Sequence, residues 1–348
     1  MINVKPVPID WHPSLPIFAK ESFLKAVSDE YGWLGGFLES GELRCVLPFT
    51  ILRKGVFRMV RFRTDCLPFA EDFIVSEEKA FLNGVIDHFR SMGVDMIMPA
   101  TNNAIFRTYP DKAKVAPYGS YVIDLTQPEG ALWMNIDRIT RQNIKSASKS
   151  AVRIRDAAEC EFDQAHCLIR DTFRRSGMPF MSLKSFKDII FGLGEHGKVL
   201  AADHDGAVQS YVVFGYSDQG AYAIYAGNSA SQQPGANKLL YWEAIRLFRN
   251  LGVRKYDFYG TRVYPEKGSK QEALGLFKKR FGAELKQGYI WKYPFHLFCY
   301  LLYQLAVRVR NGGDIVDSEK HTMAYSCPSS DVDPQTSEVH GGQSGKTE

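Results

Sequence analysis

Apolar residues recur along this chain with two different periods, and the switching between them predicts its elements. In 17–27, Phe18, Phe23, Leu24 and Val27 fall at helical spacing. Stretches 33–38, 45–52 and 57–62 then alternate or run apolar between glycines, as hairpin strands do. Residues 77–91 read as a helix with Ser76 as its cap, ending before Gly93, and 94–98 and 121–125 read as short buried strands. One helix is expected over 129–148, entered through Thr126 and Pro128. It would carry Arg138, Arg141, Lys145 and Lys149 on one face.

The later part repeats this grammar. A strand at 151–155 and helices at 163–175 and 183–193 precede a meander of 199–202, 207–216 and 221–226, turned at Asp205-Gly206 and Gln219-Gly220. A long helix over 236–251 leads through Gly252 to a strand at 255–259. A short helix (271–280), a strand (285–292) and an aromatic-rich helix (295–310) follow. The order helix, strands, helix, strand, strand occurs twice, which predicts an α/β architecture of two related halves, each a mixed sheet flanked by helices. From Asn311 the composition turns to Ser, Gly, Asp, Glu and Thr, so 311–348 is expected to be a disordered acidic tail. Such a tail either only solvates the chain end or acts as an arm competing for a basic surface.

With 348 residues, 45% hydrophobic and 24% charged, the chain has an ordinary globular composition and enough length for two domains; collagen, coiled coil and wholesale disorder are excluded. No apolar run approaches the ~20 residues that cross a bilayer. Lys5, Pro6 and Pro8 stand where a secretion signal would be apolar, so a cytoplasmic protein is expected. Six cysteines without a Cys-x-x-Cys pair and eight histidines without His-Glu-x-x-His suggest neither a metal site nor a disulfide scaffold. The net charge of +4 conceals a partition: 246–310 holds fourteen Lys and Arg against four Asp and Glu, while 311–348 holds two against seven. The basic stretch is either an anion-holding surface or a solvated face.

Candidate chemistry concentrates in 224–281. Pro234-Gly235 opens a long helix whose first amides, with Asn237 and Lys238 beside them, have no partner inside the helix and suit a phosphate or carboxylate. The strand at 255–259 ends in Gly260, where a ligand could approach the backbone, followed by Thr261 and Arg262. Asp257 falls at the ligand crevice of an open α/β sheet or pairs with Arg254 or Lys255. Phe277 and Phe281 share a core face, which turns Lys278 and Arg280 elsewhere.

These residues resemble the FemABX group of peptidoglycan-bridge aminoacyltransferases, built on the GNAT (acyl-CoA N-acyltransferase) fold. Three places carry the resemblance: Val122-Ile-Asp-Leu followed by a helix containing Arg141-Gln-Asn-Ile-Lys-Ser-Ala; Gly235-Ala-Asn-Lys-Leu-Leu-Tyr-Trp-Glu-Ala-Ile; and Asp257-Phe-Tyr-Gly followed by Gly275-Leu-Phe-Lys-Lys-Arg-Phe-Gly. It covers most of 1–310, the second half better than the first. It implies two GNAT-like domains, 1–150 joined by the helix 293–310, and 151–292. It also implies transfer of an acyl group, from aminoacyl-tRNA or in other relatives acyl-CoA, to an amine of a phosphate-bearing cell-envelope precursor. No cofactor would be held tightly. The family's Phe-Lys pair beside the transfer site maps onto Phe277 and Lys278. The chain lacks the coiled-coil insertion that some members use for tRNA, and its loop Gln232-Gln-Pro-Gly235-Ala-Asn237 departs from the acetyltransferase pattern Gln/Arg-x-x-Gly-x-Gly/Ala.

Such a transfer needs a neutral amine and preorganised donors for the oxyanion, each worth roughly 3–4 kcal/mol. Lys278 is the expected cation, with Asp257 or Tyr259 relaying the proton. Gly235, Asn237, Lys238, Gly260, Arg262, Arg141 and Lys145 are the expected substrate contacts. The helix 293–310 either covers the first half or lies on an anionic membrane surface. Two competing readings stay open: an acyl-CoA-dependent N-acyltransferase for an amino sugar or polyamine, and a non-catalytic phosphate-binding scaffold.

Overall fold

A thirteen-stranded sheet organises the computed structural model, which describes residues 2–311 and 313–319. The elements in chain order are β1 (Asn3–Val7), α1 (Glu21–Val27), β2 (Glu30–Phe37), β3 (Leu43–Lys54), β4 (Phe57–Phe62), β5 (Leu67–Pro68), α2 (Val75–Ser91), β6 (Met96–Ile97) and β7 (Lys114–Asp124), then α3 (Glu129–Asn135), α4 (Arg138–Lys149), β8 (Arg153–Asp156), α5 (Phe162–Arg174) and α6 (Leu183–Leu193). They continue with β9 (Gly197–His204), β10 (Ala207–Tyr216), β11 (Ala221–Asn228), α7 (Ala236–Asn250), β12 (Lys255–Asp257), α8 (Lys270–Lys279), β13 (Glu284–Pro294) and α9 (Leu297–Asn311).

The strand order β1-β2-β3-β4-β6-β13-β7-β12-β11-β10-β9-β8, with β5 on β3, shows how the halves are joined. β7 pairs antiparallel with β12 (Asp257 opposite Val122), and β13 pairs with β6 (Tyr293 opposite Ile97). β7 and β13 pair with each other from Glu284 opposite Val122 to Lys292 opposite Lys114. Each half thus lends its last strand to the other, and the sheet is continuous across the seam. One core gathers Trp242, Phe248, Tyr256, Phe258 and Phe281 under α4 and α7; another gathers Phe62, Phe81, Phe89, Phe106 and Trp291 under α2. Burying each such side chain stabilises by about 1.5–3 kcal/mol.

The patterning located most elements to within a few residues, and the departures have local causes. The helix expected over 129–148 is broken: Ile136 is extended and buried, and the Asp137 carboxylate accepts from the Ile139 and Thr140 amides at 3.0 and 3.2 Å, starting a new helix. Ser76 does not cap α2; it sits inside the first turn, and the Ile74 amide donates instead to Glu77 at 3.3 Å. The helix expected over 17–27 is interrupted at Lys20, whose ψ of 135° is extended. The β1 strand has no counterpart in the sequence reading; it is an edge strand, where its Pro6 is tolerated.

The start of the tail also needs correction. Residues 313–319 fold back on the body: Val316 is fully buried, and Asp314 and Asp317 hold the buried Lys292 ammonium at 2.6 and 2.7 Å. The remote cations that these acids neutralise are invisible to a composition argument. The rest of the expected tail, 320–348, lies outside the described residues. α9 seats Tyr300 and Tyr303 on Met59, Met96 and Met98 and exposes Phe298, Leu301, Leu305 and Val309 outward. Among the described residues no helix is long and apolar enough to cross a membrane.

Candidate active site

β11 and β12 are parallel, but only Ala221–Tyr222 pair with Tyr256–Asp257; β11 then runs on to Asn228 while the other strand stops. At that divergence the chain turns through two consecutive left-handed residues, Tyr259 (φ 61°) and Gly260 (φ 64°). A tyrosine in this region costs about 1–3 kcal/mol unless its surroundings hold it there. Here they do. The Tyr259 amide donates to Asp257 Oδ1 at 2.7 Å, the Gly260 amide donates to Ser120 Oγ at 3.1 Å, and the Ser120 hydroxyl donates to the same Asp257 oxygen. Thr261 and Gly119 exchange backbone bonds at 2.6 and 3.1 Å.

From the other side, Lys278 Nζ donates to the carbonyls of Tyr259 (3.3 Å) and Gly260. Burial lowers this lysine to about 8, opposed by the nearby Asp257 carboxylate. The adjacent Phe277 ring packs on Tyr241 and Phe281 with centroids 5.3 and 5.2 Å away. Asp257, Tyr259, Gly260, Phe277 and Lys278 therefore come together as one unit.

Two cavities flank this turn. One, of about 360 Å³, is lined by Asp257, Ser120, Lys255, Tyr222, Asp65 and Lys286 among others. Burial raises Asp65, and Tyr222 with Asp257 and Asp65 holds Lys255 above its ordinary value against burial. The other, of about 490 Å³, is lined by Tyr259, Tyr225, Tyr303, Asn102 and Arg61. Asp257 and Tyr259, alternatives for one proton relay in the sequence, line different cavities.

Of the remaining expected contacts, Gly235, Arg141, Lys145 and Arg262, and the space beside Gly260, are engaged within the protein itself. At Gly235 (φ 85°) a Cβ would meet the Asn143 carbonyl of α4, so this glycine serves helix packing. At Gly260 a Cβ would stand 2.6 Å from Asn102 Cβ and 2.9 Å from the Tyr118 hydroxyl, so the space that the sequence reserves for a ligand is filled. Arg141 donates to the carbonyls of Trp133 and Met134 at 3.3 and 2.8 Å, capping α3. Lys145 lies 5.8 Å from the Trp133 ring centre, and Arg262 pairs with the buried Glu319 at 2.7 Å. Burial and Arg280 lower Lys238, which places it beside the end of α8; Asn237 is half-buried on the same turn of α7.

The architecture matches solved structures. The structure of FemX superposes with a TM-score of 0.60 at 14% identity, covering 81% of this chain and 92% of that one. The C-terminal domain of a putative lysylphosphatidylglycerol synthetase from Agrobacterium fabrum gives 0.50 at 13%, covering 86% and 94%. A tandem GNAT protein from the clavulanic acid biosynthesis pathway gives 0.50 at 10%, covering 85% and 99%. The chain has the FemX-like GNAT fold. No protein-family model and no curated protein matches the sequence.

Within this FemX-like fold, sequence reasoning missed Ser120, Asp65, Lys255 as a cavity residue, and Arg61 with Arg63. One signal was available for the arginines: in Met59-Val-Arg61-Phe-Arg63 two cations alternate with apolar residues along a strand otherwise read as buried. For Ser120 there was none, since its partner Asp257 is 137 positions away.

Proposed function

We propose that this protein is an acyltransferase that forms an amide on an amine of a cell-envelope precursor, by direct transfer from an activated ester or thioester such as aminoacyl-tRNA or acyl-CoA. The observation that carries the reading is the strained Tyr259–Gly260 turn, which ties a cavity-lining acid, Asp257, to a lysine made less basic by burial, Lys278. Strained backbone and shifted ionisation on one turn mark functional sites. The shared fold with FemX supports the reading, as does the fold's occurrence in a putative lysylphosphatidylglycerol synthetase.

In the proposed reaction the acceptor enters the Asp257 cavity as an ammonium, drawn by Asp257 and Asp65. Asp257 first takes one proton from the ammonium, and the neutral nitrogen then attacks the carbonyl carbon. The C–N bond forms and the oxyanion develops; as it collapses the ester C–O or thioester C–S bond breaks, the nitrogen's second proton passes to the leaving oxygen or sulfur, and Asp257 returns its proton to solvent. Lys278 directs two of its three protons at the turn carbonyls, and the third is its means of meeting the oxyanion. Incubating the purified protein with charged tRNA, or separately with acyl-CoA, and extracted envelope precursors tests this. The expected result is a precursor heavier by one acyl group in at least one incubation; no acylated amine with either donor would refute it.

A further inference from the structure

Arg61 lines the second cavity, and Arg63 stands close by, near enough to Arg61, Tyr225 and Tyr259 to feel their charges. Arg61 and Arg63 lie two apart on β4 and just beyond it, hence on the same face. Arg63 is 8% exposed, and its Nε donates to Thr50 Oγ1 at 2.9 Å. Arg61 Nε is buried without a hydrogen-bond partner, and its Nη2 meets only the Met98 sulfur, at 3.9 Å. Among the described residues no carboxylate pairs with either guanidinium. The acid on the cavity wall, Asp314, is engaged by Lys292 at 2.6 Å. Burial and the neighbouring Arg61 pull Arg63 down to about 9, the sign of two cations forced together in a dry place. Uncompensated buried charge of this kind is costly, and proteins retain it where a ligand supplies the counter-charge.

We propose that the cavity walled by Arg61, with Arg63 beside it, is a binding site for the phosphoryl group of a phosphate ester or diphosphate. The Arg61 fork on the wall and the second guanidinium charge next to it match the double charge of a phosphoryl group, whereas a carboxylate would leave one arginine uncompensated. At about 490 Å³ the cavity exceeds a bare phosphate, and Tyr225, Tyr259 and Tyr303 offer rings and hydroxyls to the remainder of the ligand. The inference deepens the transferase reading and rests on it for the site's purpose, since Tyr259 lines this cavity and belongs to the catalytic turn. The phosphoryl group has two possible sources. A soluble phosphate ester arrives from solvent. A lipid headgroup arrives past α9, whose Tyr303 and Val307 wall the cavity while Leu301 and Leu305 stand exposed on the outside.

Titration calorimetry of the full chain at low ionic strength, with inorganic pyrophosphate as probe, tests the site, and flotation with phosphatidic acid against phosphatidylcholine vesicles tests the lipid source. Saturable pyrophosphate binding, weakened at least tenfold in Arg61→Gln, is the expected result; phosphatidic-acid-selective flotation lost in the same variant supports the site with a lipid source. The more conservative Arg63→Lys guards against misfolding, and both variants must keep the wild-type thermal melting transition. Absence of both kinds of binding, or binding equal in wild type and both variants, overturns the proposal. Asp257→Asn, which lines the other cavity and keeps a side-chain oxygen for the Tyr259 amide, should still bind pyrophosphate while losing transfer, so failure of this site and failure of the transferase reading are separately visible.

Discussion

The start of α7 and the end of β12 look alike in sequence and differ in kind. Each has a glycine with positive φ, Gly235 at 85° and Gly260 at 64°, and in each a Cβ would strike neighbouring atoms. At Gly235 the neighbour is the α4 backbone, and the consequence is a close helix crossing. At Gly260 the neighbours are Asn102 and Tyr118, and the flanking backbone is bound to Ser120, Asp257 and Lys278. At both positions the glycine reports crowding, as Gly93 and Gly252, with open space around them, do not; whether the crowd does chemistry depends on side chains contributed from elsewhere.

The largest effect expected from this contrast is chemical. Asp257→Asn removes the proposed proton acceptor while keeping a side chain of similar shape, and initial transfer rates should fall by about 10²–10⁴. Next come the glycines themselves. Gly235→Ala and Gly260→Ala should each destabilise by about 2–4 kcal/mol in denaturant titrations, from positive φ plus overpacking. Only Gly260→Ala should also lower the transfer rate per folded molecule. Equal activity losses in the two variants would erase the distinction.

The pH dependence sharpens the same contrast. Burial sets Lys278 at about 8 in the folded protein, below its ordinary 10.5, so folding disfavours its charged form. That penalty is complete below pH 8 and fades as pH rises toward 10.5. Relative to wild type, Lys278→Met should therefore have its most favourable Tm difference at pH 7 and lose ground as pH rises to 10.5, on top of a pH-independent cost for the lost bonds to the turn carbonyls. Because the proposed role needs the charged form, wild-type transfer should fall as pH rises through about 8.

The smallest effect concerns Glu319, fully buried beside Arg262. Burial, opposed by Arg262, raises its carboxyl from 4.5 to about 7, so its unfavourable contribution to stability is absent below pH 4.5 and grows as pH rises to 7. Glu319→Gln should stabilise by about 1–3 kcal/mol at pH 7.5 and by nothing measurable at pH 4.5, read from urea midpoints.

What the sequence discloses follows from the range of the interactions involved. Periodicity placed α5, α6, β9, β10, β11 and α7 because each depends on neighbours a few residues away, and the Asp205-Gly206 turn shows the paired positive φ values, 50° and 76°, that its dipeptide implies. The break at Asp137 was readable in principle, as a capping residue before Ile139 and Thr140, but the apolar stripe running through it masked the signal. Phe277-Lys278 and Asp257-Phe-Tyr-Gly were singled out, and the Lys278 ammonium on α8 meets the carbonyls of the Tyr259–Gly260 turn. The Ser120–Asp257 bond and the β7–β13 exchange join positions far apart in the chain, and no local pattern encodes them; the alternation of Arg61 and Arg63 was local, but the cavity wall that Arg61 shares with Tyr225, Tyr259 and Tyr303 was not. Arg262 shows the converse error: it reads as a free cation until Glu319, from a stretch of tail-like composition, reaches it.

The most direct test of the account is the initial rate of acyl transfer by Lys278→Ala against wild type, measured by mass spectrometry of the acylated precursor at pH 7, with both proteins shown to share the same circular dichroism and melting cooperativity. The account predicts a folded variant with transfer reduced at least a hundredfold, as expected on losing one oxyanion donor, ~10²–10³ in rate. A folded Lys278→Ala protein that acylates as fast as wild type would contradict it.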